Sequence, residues 1–294
     1  MTDHVRKLSL GTAQFGFNYG VSNANDQKIK ASEVRNILNF SSQIGISSLD
    51  TAPSYGDSEK VLGDIGVSNF DVVSKLPSML DKEINFDKSI PKYLFNSLSS
   101  LKKESLYGFL VHDAKDLLSK KGEIVYKSLM HLKNDGLVNK IGVSVYESDE
   151  IEVLTNYFDL DLIQAPFNII DNRLIDSGAM SYMNKSGIEL HVRSVFLQGL
   201  LIMNSKNRPK KFDYWSELWT SWNEWLNDNH LSALEATIRY ALSKPEITKV
   251  IVGVDSLNQL EQIISASNGN LPPFPKNLQI NDIKLLNPSN WSLL

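Results

Sequence analysis

The chain has 294 residues, of which 42% are hydrophobic and 22% charged, the usage of an ordinary globular protein with enough apolar residues for a full core. Its net charge of −4 provides no basic surface for nucleic acid or an anionic membrane, and the absence of cysteine excludes disulfides, thiolate nucleophiles and cysteine-ligated zinc. The N-terminus lacks the apolar segment of a signal peptide, and no apolar run approaches the ~18 residues of a membrane span. We therefore expect a cytoplasmic protein with a single domain over residues 1–294 and no metal site.

Short apolar segments typical of buried strands alternate with helical patterns along the chain. The predicted strands are Leu8–Thr12, Ile46–Asp50, Asp71–Leu76, Tyr107–Val111, Lys140–Val145, Leu162–Phe167, Glu189–Phe196 and Lys249–Val254. A glycine-rich loop, Phe15–Gly20, follows the first strand, and the predicted helices are Ala31–Ile44, Ser58–Gly63, Ile90–Lys103, Ile124–Asn134, one opening at Ser148, Ile175–Lys185, Leu231–Leu242 and Leu257–Ala266. Eight strands alternating with eight helices indicate an α/β protein with a closed (β/α)8 TIM barrel. A doubly wound open sheet is the alternative, although its glycine-rich nucleotide motifs are absent.

Residues 202–230 form a tryptophan-rich helical insertion before the seventh barrel helix. Trp215, Trp219 and Trp222 fall on one helical face, a pattern typical of packing. The alternative is a lid that walls the pocket, because long loops after barrel strands lie over the active face. The proline-containing tail from Gly269 is expected to wrap the surface in extended form.

Four polar residues lie at the C-terminal ends of three consecutive predicted strands or in the loop after one: Asp50, Tyr55, Lys75 and His112. In a (β/α)8 barrel these ends meet at one mouth, whatever their separation along the chain. Each alone has a structural explanation, such as a helix N-cap for Asp50, a surface lysine for Lys75 or a buried histidine for His112. Together they indicate a functional site, because ionisable groups gathered at one mouth are costly without a use.

This set of side chains suits proton donation to a carbonyl oxygen. A phenol titrates near pH ~10 and is too weak an acid to protonate a carbonyl quickly at neutral pH. An ammonium within hydrogen-bonding reach lowers that pKa, so Lys75 would activate Tyr55. Asp50 would hold Lys75 charged and oriented, and His112 would position the substrate oxygen while hydride arrives from a cofactor.

The stretch Asp50-Thr51-Ala52-x-x-Tyr55-Gly56-x-Ser58-Glu59-x-x-Leu62-Gly63 resembles the first signature of the aldo-keto reductase family. Lys75 and His112 fall where that family keeps the other two members of its catalytic tetrad, and the resemblance runs from Gly11-Thr12 to the final helix. It implies a (β/α)8 barrel that reduces aldehydes or ketones with a nicotinamide dinucleotide bound across the mouth. It also implies that Tyr55 is the general acid.

The resemblance further implies cofactor contacts around the mouth. Ser144 and Gln164 fall where the family hydrogen-bonds the nicotinamide carboxamide, but Val145 stands where it often has asparagine. Arg193 stands where the family stacks an aromatic residue on the nicotinamide. A guanidinium can stack on a ring, and here it brings a cation beside either the nicotinamide or an anionic substrate. The implied cofactor-binding residues are Gly11, Thr12, Ser144, Gln164, Arg193, Ser194, Leu197, Gly253, Val254, Ser256, Gln259 and Gln262.

The last loop, 251–262, resembles the family's adenosine-phosphate loop, with Ser256 near a helix N-terminus suited to an anion. Members committed to NADPH generally place basic residues here. This chain has Gly253 and Gln259 at those places, and Asp255 would repel a phosphate. Family habit favours NADP(H), and these substitutions make NAD(H) the alternative.

The resulting hypothesis is a nicotinamide-dependent oxidoreductase that reduces an aldehyde or ketone. Arg193, Asn168 and Asp113 near the mouth favour a polar substrate, such as a sugar or a sugar-derived carbonyl. One alternative is a nucleotide-binding regulatory barrel with little turnover, against which the intact set of four catalytic residues argues. Another is a lyase or dehydratase without a redox cofactor, against which the dinucleotide positions argue. The expected partners are a small-molecule carbonyl substrate and, at most, further copies of the chain in a small homo-oligomer.

Overall fold

The computed structural model describes residues 3–17, 28–79 and 86–294. Eight parallel strands pair in sequence order, and the last pairs with the first, so the sheet closes into a barrel. The strands are β1 Leu8–Gly11, β2 Ser48–Asp50, β3 Asp71–Leu76, β4 Leu106–Val111, β5 Val138–Ser144, β6 Leu162–Pro166, β7 Glu189–Arg193 and β8 Lys249–Gly253. The predicted (β/α)8 barrel is confirmed, and the open-sheet alternative is wrong.

The strands are apolar along most of their length because helices cover the outside of the barrel and side chains fill its inside. All residues of β2 and β6 are buried. The largest difference from the predicted strand bounds is at β7, which ends at Arg193 instead of Phe196. Ser194 has a φ of 63°, in the left-handed region, so its backbone leaves the extended conformation that a strand requires.

Most of the helices follow a strand and pack on the barrel. The helix bounds are α1 Asp3–Lys7, α2 Ala13–Gly16, α3 Ala31–Gln43, α4 Ser58–Ile65, α5 Phe86–Leu101, α6 Ala114–Leu118, α7 Gly122–Asn134, α8 Asp149–Tyr157, α9 Arg173–Asp176, α10 Ala179–Lys185, α11 Ser216–Asp228, α12 Ala233–Leu242, α13 Leu257–Ala266 and α14 Ile283–Leu286. Of these, α1 precedes β1, whereas α11 and α14 belong to the insertion and the C-terminal tail. The predicted helix Ile175–Lys185 is interrupted at Gly178, whose φ of 77° separates α9 from α10. The predicted loop at 15–20 begins inside α2, and its residues 18–20 lie outside the described residues.

Three tryptophans of the insertion, Trp215, Trp222 and Trp225, contact the C-terminal tail. Trp222 and Trp225 stack with their ring centroids 5.8 Å apart, and Phe274 of the tail meets both rings edge-on. The indole of Trp215 donates a hydrogen bond to Asp282 in the tail at 3.0 Å. The packing interpretation of α11 therefore matches the contacts that its tryptophans make.

The tail is not extended throughout, contrary to expectation. It contains α14 and two 3-10 helices, at Lys276–Leu278 and Pro288–Leu293. Leu286 and Trp291 of this segment are buried, because the tail covers the apolar face of the insertion. Within the described ranges, every helix is too short or too polar to cross a lipid bilayer.

Candidate active site

A buried ion pair lies at the C-terminal end of β2 and β3. Lys75 is fully buried, and its ammonium donates to both carboxylate oxygens of Asp50, at 2.7 and 2.8 Å, and to the backbone oxygen of Thr51 at 3.0 Å. Burial alone would lower the pKa of Lys75, but the charge of Asp50 and the hydrogen bonds to it outweigh burial, and the pKa is raised. Lys75 is therefore a cation at neutral pH, paired with a carboxylate.

Tyr55 lies beside this pair, half-buried in the loop after β2. The Lys75 ammonium donates a hydrogen bond to the phenol oxygen at 3.3 Å and lies 4.9 Å from the centre of the ring. Burial raises the pKa of Tyr55, and the positive charge of Lys75 opposes that rise without cancelling it. The predicted direction of the lysine's influence is present, but burial outweighs it in the protein as described.

The loop that carries Tyr55 is fixed by glycines and hydroxyls. The backbones of Gly16 and Gly56 approach so closely that a Cβ on Gly16 would lie 1.6 Å from the Tyr55 backbone oxygen. The Ser58 hydroxyl donates to the Thr12 backbone oxygen at 2.9 Å and lies 2.8 Å from the Thr12 hydroxyl. These contacts hold the phenol in place at the mouth of the barrel.

His112 follows β4 on the other side of Tyr55. Its ring is edge-on to the phenol, with centroids 6.1 Å apart, and its Nδ1 lies 3.3 Å from the hydroxyl of Ser54. Burial and then the charge of Lys75 lower the pKa of His112 to about 4. The imidazole is therefore neutral at physiological pH, so it can donate one hydrogen bond to a ligand oxygen without supplying a positive charge.

A cleft of about 360 Å³ opens above these residues, within the range of small-molecule sites. Asp50, Tyr55 and Arg193 line one end, and Asp255 and Gln259 line the end near α13. Seven of the twelve predicted cofactor positions line it, namely Gly11, Thr12, Arg193, Ser194, Gly253, Gln259 and Gln262. Ile202 and Met203 are the part of the insertion in its wall, and none of the tryptophans takes part, so the contacts do not support a tryptophan lid.

The remaining predicted cofactor positions lie beneath or beside the cleft. Leu197 and Val254 are core residues, and Ser256 is the N-cap of α13, where its hydroxyl accepts from the Gln259 backbone N–H at 3.2 Å. Ser144 is paired across the sheet with Gln164, and both are buried.

Gln164 provides a test of whether a nicotinamide fits here. Its Nε2 donates to Asp50 at 2.7 Å, which fixes the orientation of the amide. Its Oε1 is buried and has no hydrogen-bond partner in the described part of the chain. A buried acceptor without a donor is costly, and the N–H of a carboxamide is the kind of group that would satisfy it. The residues present therefore fit the predicted cofactor.

Arg193 lies at the end of β7, half-buried. Its Nη2 donates to the Val145 backbone oxygen at 2.9 Å and its Nη1 to the Ser194 hydroxyl at 3.4 Å. The guanidinium carbon lies 4.3 Å from the centre of the Tyr146 ring. The guanidinium thus stacks on an aromatic residue of its own protein.

Acidic groups gather at the other end of the cleft, at the N-terminus of α13. The Glu33 carboxylate of α3 accepts from the Leu257 backbone N–H at 2.7 Å. Asp255 accepts from the side chain of Gln259, and its Oδ1 is buried with no hydrogen-bond partner in the described chain. Burial raises the pKa of Asp255. Among the described residues, no group of three or more histidine, aspartate and glutamate side chains has the arrangement of a metal site.

A model of the aldo/keto reductase family matches residues 7–276, nearly the whole chain. The chain belongs to this family. Membership of this family supports an oxidoreductase that acts on carbonyl groups with a nicotinamide cofactor. The predicted family membership and fold are confirmed.

Individual relatives agree with this membership. The NADH-specific methylglyoxal reductase of Escherichia coli (strain K12) is 34% identical over 73 residues, which are 25% of this chain and only 22% of that protein's length. An aldo-keto reductase from Bacillus halodurans in its holo form is 18% identical, with a TM-score of 0.74 over 93% of this chain and 92% of that one. An aldo-keto reductase structure from Pseudomonas aeruginosa is 20% identical, with a TM-score of 0.66 over 89% of each chain. The structural likenesses show the shared fold.

Two residues around the cleft of this aldo-keto reductase were not found by sequence reasoning. Glu33 reaches the N-terminus of α13 from a helix 224 residues away along the chain, and no local pattern marks it. Tyr146 was overlooked because its role depends on where the Arg193 side chain lies. Both residues are recognised only from the tertiary structure.

Proposed function

We propose that this aldo-keto reductase reduces the carbonyl group of a small polar aldehyde or ketone to the alcohol, with Tyr55 donating the proton. A bound nicotinamide dinucleotide supplies the hydride. The observation that carries the proposal is the contact between the Lys75 ammonium and the Tyr55 phenol, with Asp50 holding the ammonium from the other side. An acid beside a fixed cation can release its proton to an oxygen on which negative charge develops.

Different side chains of the protein have different roles in this reduction. The neutral ring of His112 donates a hydrogen bond to the carbonyl oxygen and orients it toward Tyr55. Tyr55 protonates that oxygen as negative charge grows, and Lys75 stabilises the phenolate that remains until water returns the proton. Gln164 and Ser144 hold the carboxamide of the nicotinamide, and the cleft from Thr12 to Gln259 holds the rest of the dinucleotide.

We further propose that NADH is the preferred reductant, in place of the NADP(H) that family habit favours. The acidic Glu33 and Asp255 lie at the helix N-terminus where the family resemblance puts the adenosine phosphate. An additional 2′-phosphate would meet carboxylates there instead of lysine or arginine, and like charges disfavour its binding. The partial match to an NADH-specific methylglyoxal reductase supports the same preference.

A substitution at Tyr55 tests the reductase proposal. Purified wild-type protein and Tyr55→Phe are titrated with NADH by fluorescence, and the loss of reduced-nicotinamide absorbance is followed with a panel of aldehydes and ketoses. We expect equal NADH affinity and a roughly 10²- to 10⁴-fold lower kcat/KM for the variant, the usual contribution of a general acid. Retained activity would refute the role of Tyr55. Binding without turnover on any carbonyl would favour a regulatory nucleotide-binding barrel instead.

A second measurement tests the cofactor preference. Wild type should bind NADH at least as tightly as NADPH, and Glu33→Gln combined with Asp255→Asn should strengthen NADPH binding roughly fivefold while changing NADH binding little. Strong NADPH preference in the wild type would show that the acidic groups do not act as proposed.

A further inference from the structure

Arg193 brings an unneutralised positive charge to the reacting end of the cleft. Among the described residues that line the cleft, it is the only lysine or arginine. The other charged residue at this end, Asp50, is already neutralised by the ammonium of Lys75. Arg193 itself has no ion pair in the described part of the chain, because its contacts are a backbone oxygen, a hydroxyl and an aromatic ring.

The guanidinium is held in place but not saturated. It has five N–H donors, and its two hydrogen bonds, to Val145 and Ser194, use one each, so three remain for a ligand. Stacking on Tyr146 holds its plane at 4.3 Å from the ring centre. A planar donor group fixed in this way is ready to bind a carboxylate or phosphate through two parallel hydrogen bonds.

The charge of Arg193 acts on both groups that face the carbonyl oxygen. Burial is the main reason that the pKa of Tyr55 is raised and that of His112 is lowered, and in each case the charge of Arg193 contributes toward a lower pKa. Arg193 is therefore within electrostatic reach of the position where the substrate oxygen would lie. Arg193 and Tyr55 also line the same cleft, so a substituent beside the reacting carbonyl can contact the guanidinium.

The two interpretations of Arg193 from the sequence differ in their electrostatics. A cation against the nicotinamide would oppose the positive charge that the ring carries after it has given up hydride. An anionic substrate would instead neutralise a half-buried guanidinium, and a charge removed from water needs such a partner. Only the second arrangement gives the positive charge of Arg193 an anionic partner.

We propose that Arg193 binds an anionic oxygen group, a carboxylate or a phosphate, on the carbonyl substrate of this enzyme. The inference rests on the proposed reductase function and names its substrate class. The reaction is unchanged in its balance: hydride from NADH forms the new C–H bond and the Tyr55 proton forms the O–H bond. The products are a hydroxy acid or hydroxy phosphate and NAD⁺, and the anionic group keeps its charge throughout.

The test compares matched charged and neutral carbonyls. Reduction of pyruvate is compared with pyruvamide, and glyceraldehyde 3-phosphate with glyceraldehyde, using NADH and wild-type enzyme. We expect at least one anionic substrate to have a roughly 10- to 100-fold higher kcat/KM than its neutral partner, the strength of a charge-assisted hydrogen bond. The pair that shows the preference distinguishes a carboxylate from a phosphate.

Variants assign that preference to Arg193. Arg193→Gln should abolish this preference by lowering kcat/KM much more for the anionic substrate than for its neutral partner, and Arg193→Lys should retain part of the preference because the charge remains. Arg35→Gln is the control, because it changes the net charge of the protein by the same amount. Arg35 is exposed and lies outside the cleft lining, so this variant should keep the preference for the anionic substrate.

Three outcomes would overturn the inference. One is equal or better reduction of the neutral carbonyls by wild type, and a second is an equal loss on charged and neutral substrates in Arg193→Gln. The third is loss of NADH affinity in that variant, which would assign Arg193 to the cofactor. None of these three outcomes contradicts carbonyl reduction itself, whereas failure to reduce any carbonyl in the panel would refute the proposed function.

Discussion

Removing the ammonium of Lys75 should destabilise the fold as well as abolish activity. In Lys75→Met, the carboxylate of Asp50 remains only 5% exposed and keeps the amide of Gln164 as a donor. Breaking a buried ion pair by removing one partner costs about 3–5 kcal/mol, because the remaining charge is uncompensated. We expect a loss of this size in the free energy of unfolding.

A second substitution separates charge from packing. Lys75→Met combined with Asp50→Asn replaces the pair by uncharged groups of similar volume, and this should restore at least about 2 kcal/mol relative to the single variant. Carbonyl reduction should stay absent in both, since neither retains the cation beside Tyr55. Stability thus recovers while activity does not.

The assay is urea unfolding at neutral pH, followed by far-ultraviolet circular dichroism, with carbonyl reduction measured on the same samples. Lys127→Met is the control, because its ion pair with Glu123 is on the surface, with both side chains more than 70% exposed, and should not measurably affect stability. A Lys75→Met protein as stable as wild type, or a double variant no more stable than the single one, would refute the charged-pair interpretation.

Three further predictions concern the surroundings of the site. The pKa of His112 is about 4 in the folded protein and 6.5 in an unperturbed histidine. Between these two pH values the unfolded chain binds more protons than the folded one, so the free energy of unfolding decreases as the pH falls from 6.5 to 4. His112→Gln should lose less free energy of unfolding than wild type over this range, by at most about 3 kcal/mol, a value that the partial exposure of the ring to water reduces. Unfolding measured from pH 7 to 4 tests this, and the same pH dependence in both proteins would contradict it. Gly16→Ala should push the Tyr55 loop away and reduce kcat/KM without preventing folding, which kinetics with a thermal melt would detect, and an unchanged kcat/KM would count against the close packing. Trp222→Ala should cost about 3–5 kcal/mol of stability but leave KM unchanged below the melting temperature, because its ring packs on the tail, and a raised KM would point to a lid.

The fold was readable from the sequence because each strand and helix carries its own signal. Buried strands of a parallel barrel are continuous apolar runs, and the helices between them show apolar spacing of three and four residues. The predicted strand bounds were wrong where a residue other than glycine has a left-handed backbone conformation, because the residue type gives no sign of it. Ser194 ends β7 early for this reason, and the tail is partly helical because it covers the apolar tryptophan face.

The proximity of Asp50, Tyr55 and Lys75 also followed from sequence, through topology. Parallel barrel strands bring their C-terminal ends to one mouth, so residues 25 positions apart could be expected to meet. The balance of influences on the Tyr55 pKa could not be expected, because burial depends on every chain segment around the phenol. The sequence predicted that Lys75 lowers the pKa of Tyr55, but it contained no information on how strongly burial raises that pKa.

The sequence by itself determined the barrel, the family resemblance and the candidate proton donor with its cation, since these depend on periodicity and on local order along the chain. The tertiary structure alone decided which partners the less regular residues have. Glu33 meets the start of α13 from the other end of the chain, and Arg193 stacks on Tyr146 and has no acidic partner among the described residues. Such contacts depend on side-chain directions in three dimensions, which no spacing in one dimension specifies.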